Sequence, residues 1–141
     1  MVRAYEPSDL SAVMQIWLET NIQAHPFIPE EYWRGNYEWV KGMIPQAELY
    51  VFCAEGASES LGFIGLDGEE IEGIFVRGSA QSRGVGKQLL DHVKNLKPHL
   101  TLHVYQKNER ALHFYQREGF SIQKCMADPD TGEAEFLMGW A

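Results

Sequence analysis

The spacing of apolar residues predicts that the first third of the chain is mainly helical. After a short strand over about 2–5, apolar residues recur at the three- and four-residue spacing of an amphipathic helix, which predicts a helix over about 9–19 with Ser8 as its N-cap. Its buried stripe comprises Leu10, Val13, Met14, Trp17 and Leu18. The segment 21–47 is rich in proline and aromatic residues, and it contains a second helical stripe of Trp33, Tyr37, Val40 and Ile44.

Short apolar runs predict strands in the middle of the chain. A hairpin is expected over 49–54 and 61–66, with its turn at Gly56-Ala57-Ser58-Glu59, and a third strand is expected over 71–76. A helix that ends near residue 96 and a strand over 100–105 follow. A strand, a helix and a strand in so short a stretch predict two parallel strands joined by a right-handed crossover.

The last third of the chain predicts one more helix and a final hairpin. Asn108 precedes the helical run, and Gly119 is expected to end it. Strands over 120–126 and 135–140 are expected on either side of a turn at 128–132. The pattern as a whole predicts a mixed sheet flanked by helices.

Composition and charge narrow the class of protein. The 141 residues are 45% hydrophobic and 23% charged, which predicts one globular domain over 1–141. No apolar stretch is long enough to span a bilayer, and the N-terminus lacks the apolar core of a signal peptide, so we expect a cytoplasmic protein without a membrane partner. The net charge of −8 argues against a nucleic-acid partner. Cys53 and Cys125 fall in strand-like runs and are expected to be buried, reduced thiols.

The most informative motif is Gln81-Ser82-Arg83-Gly84-Val85-Gly86, which follows a strand and opens a helix. The first backbone N–H groups of a helix have no acceptor inside the helix and therefore form an anion site. Gly84 and Gly86 let the backbone approach a ligand closely, while Arg83 and Lys87 add positive charge. The motif therefore predicts a site for a diphosphate-bearing cofactor.

Two other interpretations of this motif fit the sequence less well. A tight turn without a ligand would need only the glycines, whereas here a strand, an amphipathic helix and a second strand accompany them. A dinucleotide-binding motif would need a third glycine at position 89, where Leu89 stands. In open sheets, ligands bind beyond the carboxyl ends of parallel strands, and both the glycine motif and the segment 106–108 fall there. Two separate segments thus predict one ligand site.

These residues resemble the signatures of the GNAT superfamily of N-acetyltransferases. The family's acyl-CoA loop reads Gln/Arg-x-x-Gly-x-Gly/Ala, and residues 81–86 match it in full. The strand over 74–76, the pair Leu89-Leu90, Asn108 and the run Phe114-Tyr115-Gln116-Arg117-Glu118-Gly119-Phe120 resemble family signatures in the expected order. The segment His25-Pro26-Phe27-Ile28 resembles one found in short, stand-alone bacterial members.

The resemblance covers nearly the whole chain and is most specific over 71–120. It implies an α/β (α+β) fold with a mixed, mostly antiparallel sheet of about seven strands, one parallel pair and four flanking helices. It also implies acetyl-CoA as the donor. The residues expected to bind this cofactor are Ile74, Phe75, Val76, Gln81, Arg83, Gly84, Val85, Gly86, Lys87 and Asn108.

The family assignment also implies roles in the chemistry. Backbone N–H groups near Phe75 and Val76, on a strand that family members splay from its neighbour, are candidates to bind the oxyanion and the pantetheine arm. Asn108 is expected to hydrogen-bond the pantetheine or the reacting end. Tyr115 matches the family's usual general acid, which protonates the leaving thiolate.

The group that accepts the proton of the attacking amine stays open between Glu72, His25 and a water. A lysine-like amine with a pKa of about 10.4 is mostly protonated near pH 7.4, so its deprotonation costs roughly 4 kcal/mol. Glu72 is expected on the cleft side of its strand. His25 lies in the variable segment expected to wall the acceptor pocket, together with Phe27, Tyr32 and Trp33. The other histidines lack a metal-ligand spacing, so no metal is expected.

Two functions are compatible with the resemblance. The first is transfer of an acetyl group from acetyl-CoA to a primary amine of a small molecule, a peptide lysine or an N-terminus, by direct attack with a tetrahedral intermediate. The alternative is a non-catalytic module that binds or senses acyl-CoA. Tyr115, Asn108 and Glu72 together favour the enzyme. The sequence leaves the identity of the amine open, and both a monomer and a homodimer are compatible with it.

Overall fold

The computed structural model describes residues 1–54, 56–57 and 59–141 of the chain. The helices are α1 (Leu10–Ala24), α2 (Glu30–Met43), α3 (Val85–Lys94) and α4 (Glu109–Arg117). The strands are β1 (Val2–Ala4), β2 (Glu48–Cys53), β3 (Ser60–Asp67), β4 (Glu70–Val76), β5 (Leu100–Tyr105), β6 (Ser121–Ala127) and β7 (Ala134–Trp140). None of these helices is long and apolar enough to cross a membrane.

The strands form one mixed sheet in the order β1-β2-β3-β4-β5-β7-β6 within the described part of the chain. Each neighbouring pair is antiparallel except β4 and β5, which are parallel and are connected through α3. The predicted fold class is therefore confirmed: a mostly antiparallel seven-stranded sheet with one parallel pair and four helices.

The parallel strands β4 and β5 are paired only near their amino-terminal ends. Glu70 pairs with Thr101 and Ile71 pairs with Leu102, and the pairing of the two described strands stops there. Beyond this point β4 continues alongside β3, while β5 continues alongside β7. The strands thus separate, and a gap opens in the middle of the sheet at their carboxyl ends.

Helices cover both faces of the sheet. Along β3, Phe63 packs in an apolar cluster with α1 and α2, whereas the next residue, Ile64, packs in a second cluster with α3. Successive side chains of a strand point to opposite faces, so the two clusters lie on opposite sides of the sheet. A strand that is buried on both faces is expected to have a nearly continuous apolar sequence, and β3 has one.

Glycine at position 73 makes room for an aromatic ring beside the gap. The Phe75 ring lies over Gly73, and a Cβ atom added to Gly73 would be 2.3 Å from Cζ of Phe75. The same ring stacks on Phe63, with 4.8 Å between the ring centroids. The register of β3 and β4 also shifts between Gly65 and Leu66, next to the pair Gly65–Gly73. A larger residue at position 73 would displace a ring that is already packed.

Two local predictions were wrong. Ser8 does not cap α1, because it lies within a short 3-10 turn, Pro7–Asp9. The carboxylate of Asp9 organises this turn, since it accepts hydrogen bonds from the Glu6 N–H and from both terminal guanidinium nitrogens of Arg3, each at 2.8 Å.

Cys53 is buried as predicted, but Cys125 is exposed because β6 is an edge strand. Ser58, which was predicted in the turn of the first hairpin, lies outside the described residues.

We expect Gly73→Ala to lower the free energy of unfolding by about 1–3 kcal/mol, because the added methyl group overpacks the site and pushes the Phe75 ring away from Phe63. The measurement is urea-induced unfolding at pH 7. The matched control is Gly65→Ala on the paired strand, where the nearest atom would be Cδ1 of Leu49 at an ordinary 3.7 Å. Equal unfolding free energies for the two variants would contradict this account of Gly73.

Candidate active site

A large cavity of about 1400 Å³ occupies the gap between β4 and β5. Its walls come from the β4 segment 72–76, the glycine loop, the end of β5, helix α4, and the segment that joins α1 to α2. Many of the residues selected from sequence line it, namely His25, Trp33, Glu72, Ile74, Phe75, Val76, Gln81, Gly84, Val85, Gly86, Lys87, Asn108 and Tyr115. The structure therefore brings residues from distant parts of the sequence to one site.

The glycine loop presents the amino-terminal end of α3 to this cavity. Gly84 has φ +79° and precedes Val85, the first residue of the helix. Gln88 N–H donates to the Gly84 carbonyl at 3.0 Å, which is the first bond of the helical ladder. The N–H groups of Val85, Gly86 and Lys87 therefore lie in the first turn, where helical N–H groups have no acceptor within the helix. This loop has the positive end of a helix dipole and the backbone conformation of an anion site.

Arg110 fixes the start of the loop, and sequence reasoning did not select it. Its guanidinium donates to Oε1 of Gln81 at 2.8 Å and to the Ser82 hydroxyl oxygen at 3.1 Å. The amide nitrogen of Gln81 in turn donates to the Val76 carbonyl at 2.9 Å. Ser82 is held at φ +63°, a conformation that residues with a Cβ atom rarely adopt. These bonds tie α4, the loop and β4 together.

Arg83 and Lys87, the two cations that the motif suggested, take no part in the hydrogen bonds that tie α4, the loop and β4 together. Lys87 is exposed and its ammonium group pairs with Asp91 at 3.0 Å and Glu118 at 3.2 Å, and these hydrogen bonds raise the pKa of Lys87. Arg83 is also exposed, and it lines a smaller neighbouring cavity of about 460 Å³. The guanidinium that touches the loop is that of Arg110.

The backbone of β4 offers N–H groups to the gap at alternating positions. Arg77 N–H donates to the Leu61 carbonyl of β3 at 2.8 Å. Because alternate residues of a strand direct their backbone groups to the same side, Phe75 N–H also faces β3, while those of Ile74 and Val76 face the gap. The bond from Gln81 to the Val76 carbonyl agrees with this direction. The prediction for Val76 therefore fits the geometry, whereas the Phe75 N–H is directed away from the cavity.

Tyr115 carries a buried phenol at the wall of the cavity. The residue is 7% exposed, and its ring packs between those of Phe114 and Phe120, with centroids 5.4 and 5.7 Å away. Burial raises the pKa of its hydroxyl well above the ordinary value, so the group is protonated at neutral pH. Within the described part of the chain, this hydroxyl has no hydrogen-bond partner. It is therefore a proton donor that has no structural partner to satisfy.

The carboxylates of Glu72 and Glu135 also line the cavity. Glu72 points into the cavity from β4, and partial burial, together with the charges of Glu70 and Asp67, raises its pKa above the ordinary value. Glu135 on β7 also lines the cavity, and its pKa is raised first by burial. His103 on β5 lies near both carboxylates and opposes these shifts. Sequence reasoning selected Glu72 but missed Glu135, because it did not establish that β7 pairs with β5, and it considered His103 only as a metal ligand.

His25 and Trp33 form the wall that closes the other end of the cavity. Their rings are stacked with 5.1 Å between centroids. Tyr32 and Pro26 line the cavity beside them, whereas Phe27 does not line it and packs against His25 and Tyr105 instead, with centroids 5.6 Å from each. The predicted aromatic wall is therefore present, with Phe27 as its support.

Asn108 is the N-cap of α4, as its position before the helix suggested. Its Oδ1 accepts a hydrogen bond from Ala111 N–H at 3.3 Å, and its Nδ2 lies 3.4 Å from Nε2 of His25. Gly119, with φ +96°, follows the carboxyl-terminal end of the same helix. Gly119 thus ends the helix that carries Tyr115 as predicted, and Asn108, which was predicted to precede this helix, also caps it.

A splayed parallel pair, a glycine loop at a helix N-terminus and a buried tyrosine on the following helix define an acyltransferase of the N-acetyltransferase class. Comparison with known proteins agrees. Residues 46–122 match the family model of the acetyltransferase (GNAT) domain, and the chain belongs to this family.

Individual relatives cover nearly all of the chain. It is 37% identical to the peptidyl-lysine N-acetyltransferase YiaC of Escherichia coli, over 99% of this chain and 96% of that protein. The solution structure of apo-form YjaB from Escherichia coli superposes with a TM-score of 0.88 and 24% identity, over 100% of this chain and 97% of that one. An aminoglycoside 6'-N-acetyltransferase complexed with coenzyme A has the same fold, with a TM-score of 0.72 and 15% identity over 99% of this chain and 96% of that one.

Proposed function

We propose that this protein transfers an acetyl group from acetyl-CoA to the side-chain amine of a lysine in a peptide or protein. The observation that carries the proposal is that one cavity contains the N–H groups at the start of α3, the hydroxyl of Tyr115 and the carboxylate of Glu72. The name of the Escherichia coli relative, peptidyl-lysine N-acetyltransferase, supports lysine as the acceptor. When bound, acetyl-CoA would supply the activated acetyl thioester, and coenzyme A would leave as a thiolate.

The glycine loop is suited to hold the diphosphate of this donor. The loop offers N–H groups that no helical carbonyl satisfies, and Gly84 precedes them in a left-handed conformation. Arg110 holds Gln81 and Ser82 in place from α4, so the loop needs little rearrangement on binding. The Val76 and Ile74 N–H groups on the exposed edge of β4 would then bind the extended arm of the donor and its carbonyl oxygen.

Tyr115 would donate the proton of its hydroxyl to the leaving sulfur. In water, protonating a thiolate of pKa about 8.5 from a tyrosine of pKa about 10 is uphill by only ~2 kcal/mol. Burial raises the pKa of Tyr115, and it penalises a thiolate in the same cavity as well, because both charged forms lose hydration there. The transfer therefore stays feasible in the buried site.

Glu72 would accept a proton from the lysine ammonium group, and the neutral amine left behind would attack the thioester carbonyl. The raised pKa of Glu72 makes it a stronger base than an ordinary glutamate. The charge of Glu70 acts on Glu72, and Glu135 lines the same cavity, so these carboxylates give this side of the cavity a negative potential that favours a cationic lysine. Donor and acceptor thus enter halves of opposite polarity.

The proposal predicts that thiol release from acetyl-CoA depends on a lysine peptide and that Tyr115→Phe slows this release by about a hundredfold, because the leaving thiolate loses its proton donor. Release is measured with a thiol reagent across lysine peptides, polyamines, amino sugars and amino acids, and coenzyme A binding is measured by calorimetry. Tyr115→Phe should bind coenzyme A within about threefold of wild type, since only a hydroxyl is removed. Tyr37→Phe on α2, which lies outside the cavity, is the control. Binding of coenzyme A without release toward any amine would favour an acyl-CoA-binding module instead.

A second expectation concerns Glu72 and pH. A base must be ionised to act, so kcat/KM should fall as pH drops through the pKa of Glu72, and the fall should begin above the range of an ordinary glutamate because that pKa is raised. Glu72→Gln should lose this limb and reduce kcat/KM about a hundredfold at pH 8. Glu69→Gln, at an exposed position outside the cavity, is the control. An unchanged acid limb in Glu72→Gln would assign the base to another group or to water.

The third expectation concerns Arg110. Arg110→Met should weaken coenzyme A binding by about tenfold, because Gln81 and Ser82 lose the charged donor that orders them. Calorimetric titration of coenzyme A is the measurement. Arg34→Met, which removes an exposed arginine paired with Glu30 on α2, matches the change in net charge without touching the loop. Equal affinities of the two variants would rule out this role of Arg110.

A further inference from the structure

His25 makes contacts in two halves of the site at once. Its ring stacks on Trp33 of α2 and meets the edge of Tyr105 at the end of β5, with centroids 5.1 and 5.2 Å away. Its Nε2 lies 3.4 Å from Nδ2 of Asn108, the N-cap of α4. This pair of side chains therefore links the segment between α1 and α2 to the helix that carries Tyr115.

The hydrogen bonds of the pair fix its protonation state. Nδ1 of His25 lies 2.9 Å from the Asn21 carbonyl oxygen, which can only accept, so Nδ1 must carry the proton. In the neutral ring Nε2 then bears a lone pair and can only accept. Burial lowers the pKa of His25, which favours this neutral form.

The amide of Asn108 is fixed in the complementary direction. Its Oδ1 accepts the Ala111 N–H, which satisfies one of the free donors at the start of α4. Its Nδ2 is therefore the atom that faces Nε2 of His25, and it donates to the lone pair there. A proton on Nε2 of His25 would face the amide hydrogens of Asn108. Rotating the amide by 180° would relieve this clash but would break the hydrogen bond from Ala111 N–H that caps α4.

We propose that His25 is a positioning residue that aligns the acceptor wall with the helix carrying Tyr115 by accepting a hydrogen bond from Asn108. This inference rests on the proposed acetyl transfer. It excludes His25 as the proton acceptor of the amine, because the lone pair that a base would use is already engaged. The consequence is that His25 acts on the alignment of the lysine amine with the acid, while the glycine loop, which Arg110 orders, keeps its own contacts.

The first test needs no variant. In the wild-type protein labelled with ¹⁵N, the ring shifts of His25 should report the neutral Nδ1–H tautomer at pH 7. A ring protonated on Nε2 at pH 7, whether neutral or cationic, would overturn the proposal. The same spectrum of Asn108→Asp gives a second readout. The carboxylate keeps an oxygen for the cap but no longer donates to Nε2, so the His25 ring should become protonated on both nitrogens and titrate at higher pH.

Kinetics provide the second test. His25→Phe keeps a stacking ring but loses both nitrogens, so kcat for a lysine peptide should fall by roughly tenfold to a hundredfold and KM for the peptide should rise, since small misplacements of reacting groups cost this much. Binding of coenzyme A should stay within about threefold of wild type, which also shows that the variant is folded. His25→Gln, whose side-chain oxygen can accept from Asn108, should recover part of kcat. The exposed His99→Phe is the control.

The outcomes separate this inference from the proposed function. If wild type releases no thiol toward any amine, the proposed function fails while the tautomer measurement still tests the pair. If His25→Phe retains kcat and KM within about twofold of wild type, the positioning role is overturned. If His25→Gln is as slow as His25→Phe and the acid limb of the pH profile disappears in both, His25 is the base and the proposal is wrong.

Discussion

The separation of β4 from β5 is the constraint on which the rest of the site depends. Two parallel strands that stayed paired to their ends would fill the centre of the sheet with main-chain hydrogen bonds, and no cavity would form there. Here pairing stops after Ile71 and Leu102, and each strand is supported on its other side by an antiparallel partner. The unpaired edge of β4 therefore keeps its order while its N–H groups remain free for a ligand. Gly73 and Phe75 contribute to the order of this strand, because the Phe75 ring packs in the space that a side chain at position 73 would occupy.

The gap also separates two electrostatic environments. At the carboxyl end of β4, the chain turns into the N-terminus of α3, where unsatisfied N–H groups favour an anion. Farther down the gap, Glu72 on β4 and Glu135 on β7, the strand next to β5, line the cavity. Under the proposed function, an acyl donor that carries phosphates and an acceptor that carries an ammonium group would bind at different ends, so the net acidity of the protein would not oppose binding of the donor. The buried Tyr115 lines the same cavity, on helix α4, whose Arg110 contacts the glycine loop.

The sequence predicted the features whose causes are local. The apolar spacing located the helices and strands, and the bounds of β5 were predicted without error because an apolar run there is flanked by Pro98 and a polar segment. Asn108 and Gly119 were recognised at the ends of α4 because capping depends on residues a few positions away. Ser8 was misassigned because Asp9 competes for the same turn with the help of Arg3, which belongs to a strand. Cys125 is exposed because β6 lies at the edge of the sheet. The pattern of apolar and polar residues within β6 does not reveal which strand lies at the edge.

Contacts between distant segments were beyond sequence reasoning, and they determine how the site works. Gln81 and Arg110 are far apart in the chain, as are His25 and Asn108, and neither pair has a spacing that a motif could reveal. Both pairs nevertheless converge on α4. Asn108 and Tyr115 are seven residues apart, about two helical turns, so they share one face of that helix, and both line the cavity. A rotation of α4 that moved Tyr115 would therefore also strain the bond of Asn108 to His25 and that of Arg110 to the loop. The helix is held by the α1–α2 segment and by the glycine loop together, and the position of Tyr115 is set by both.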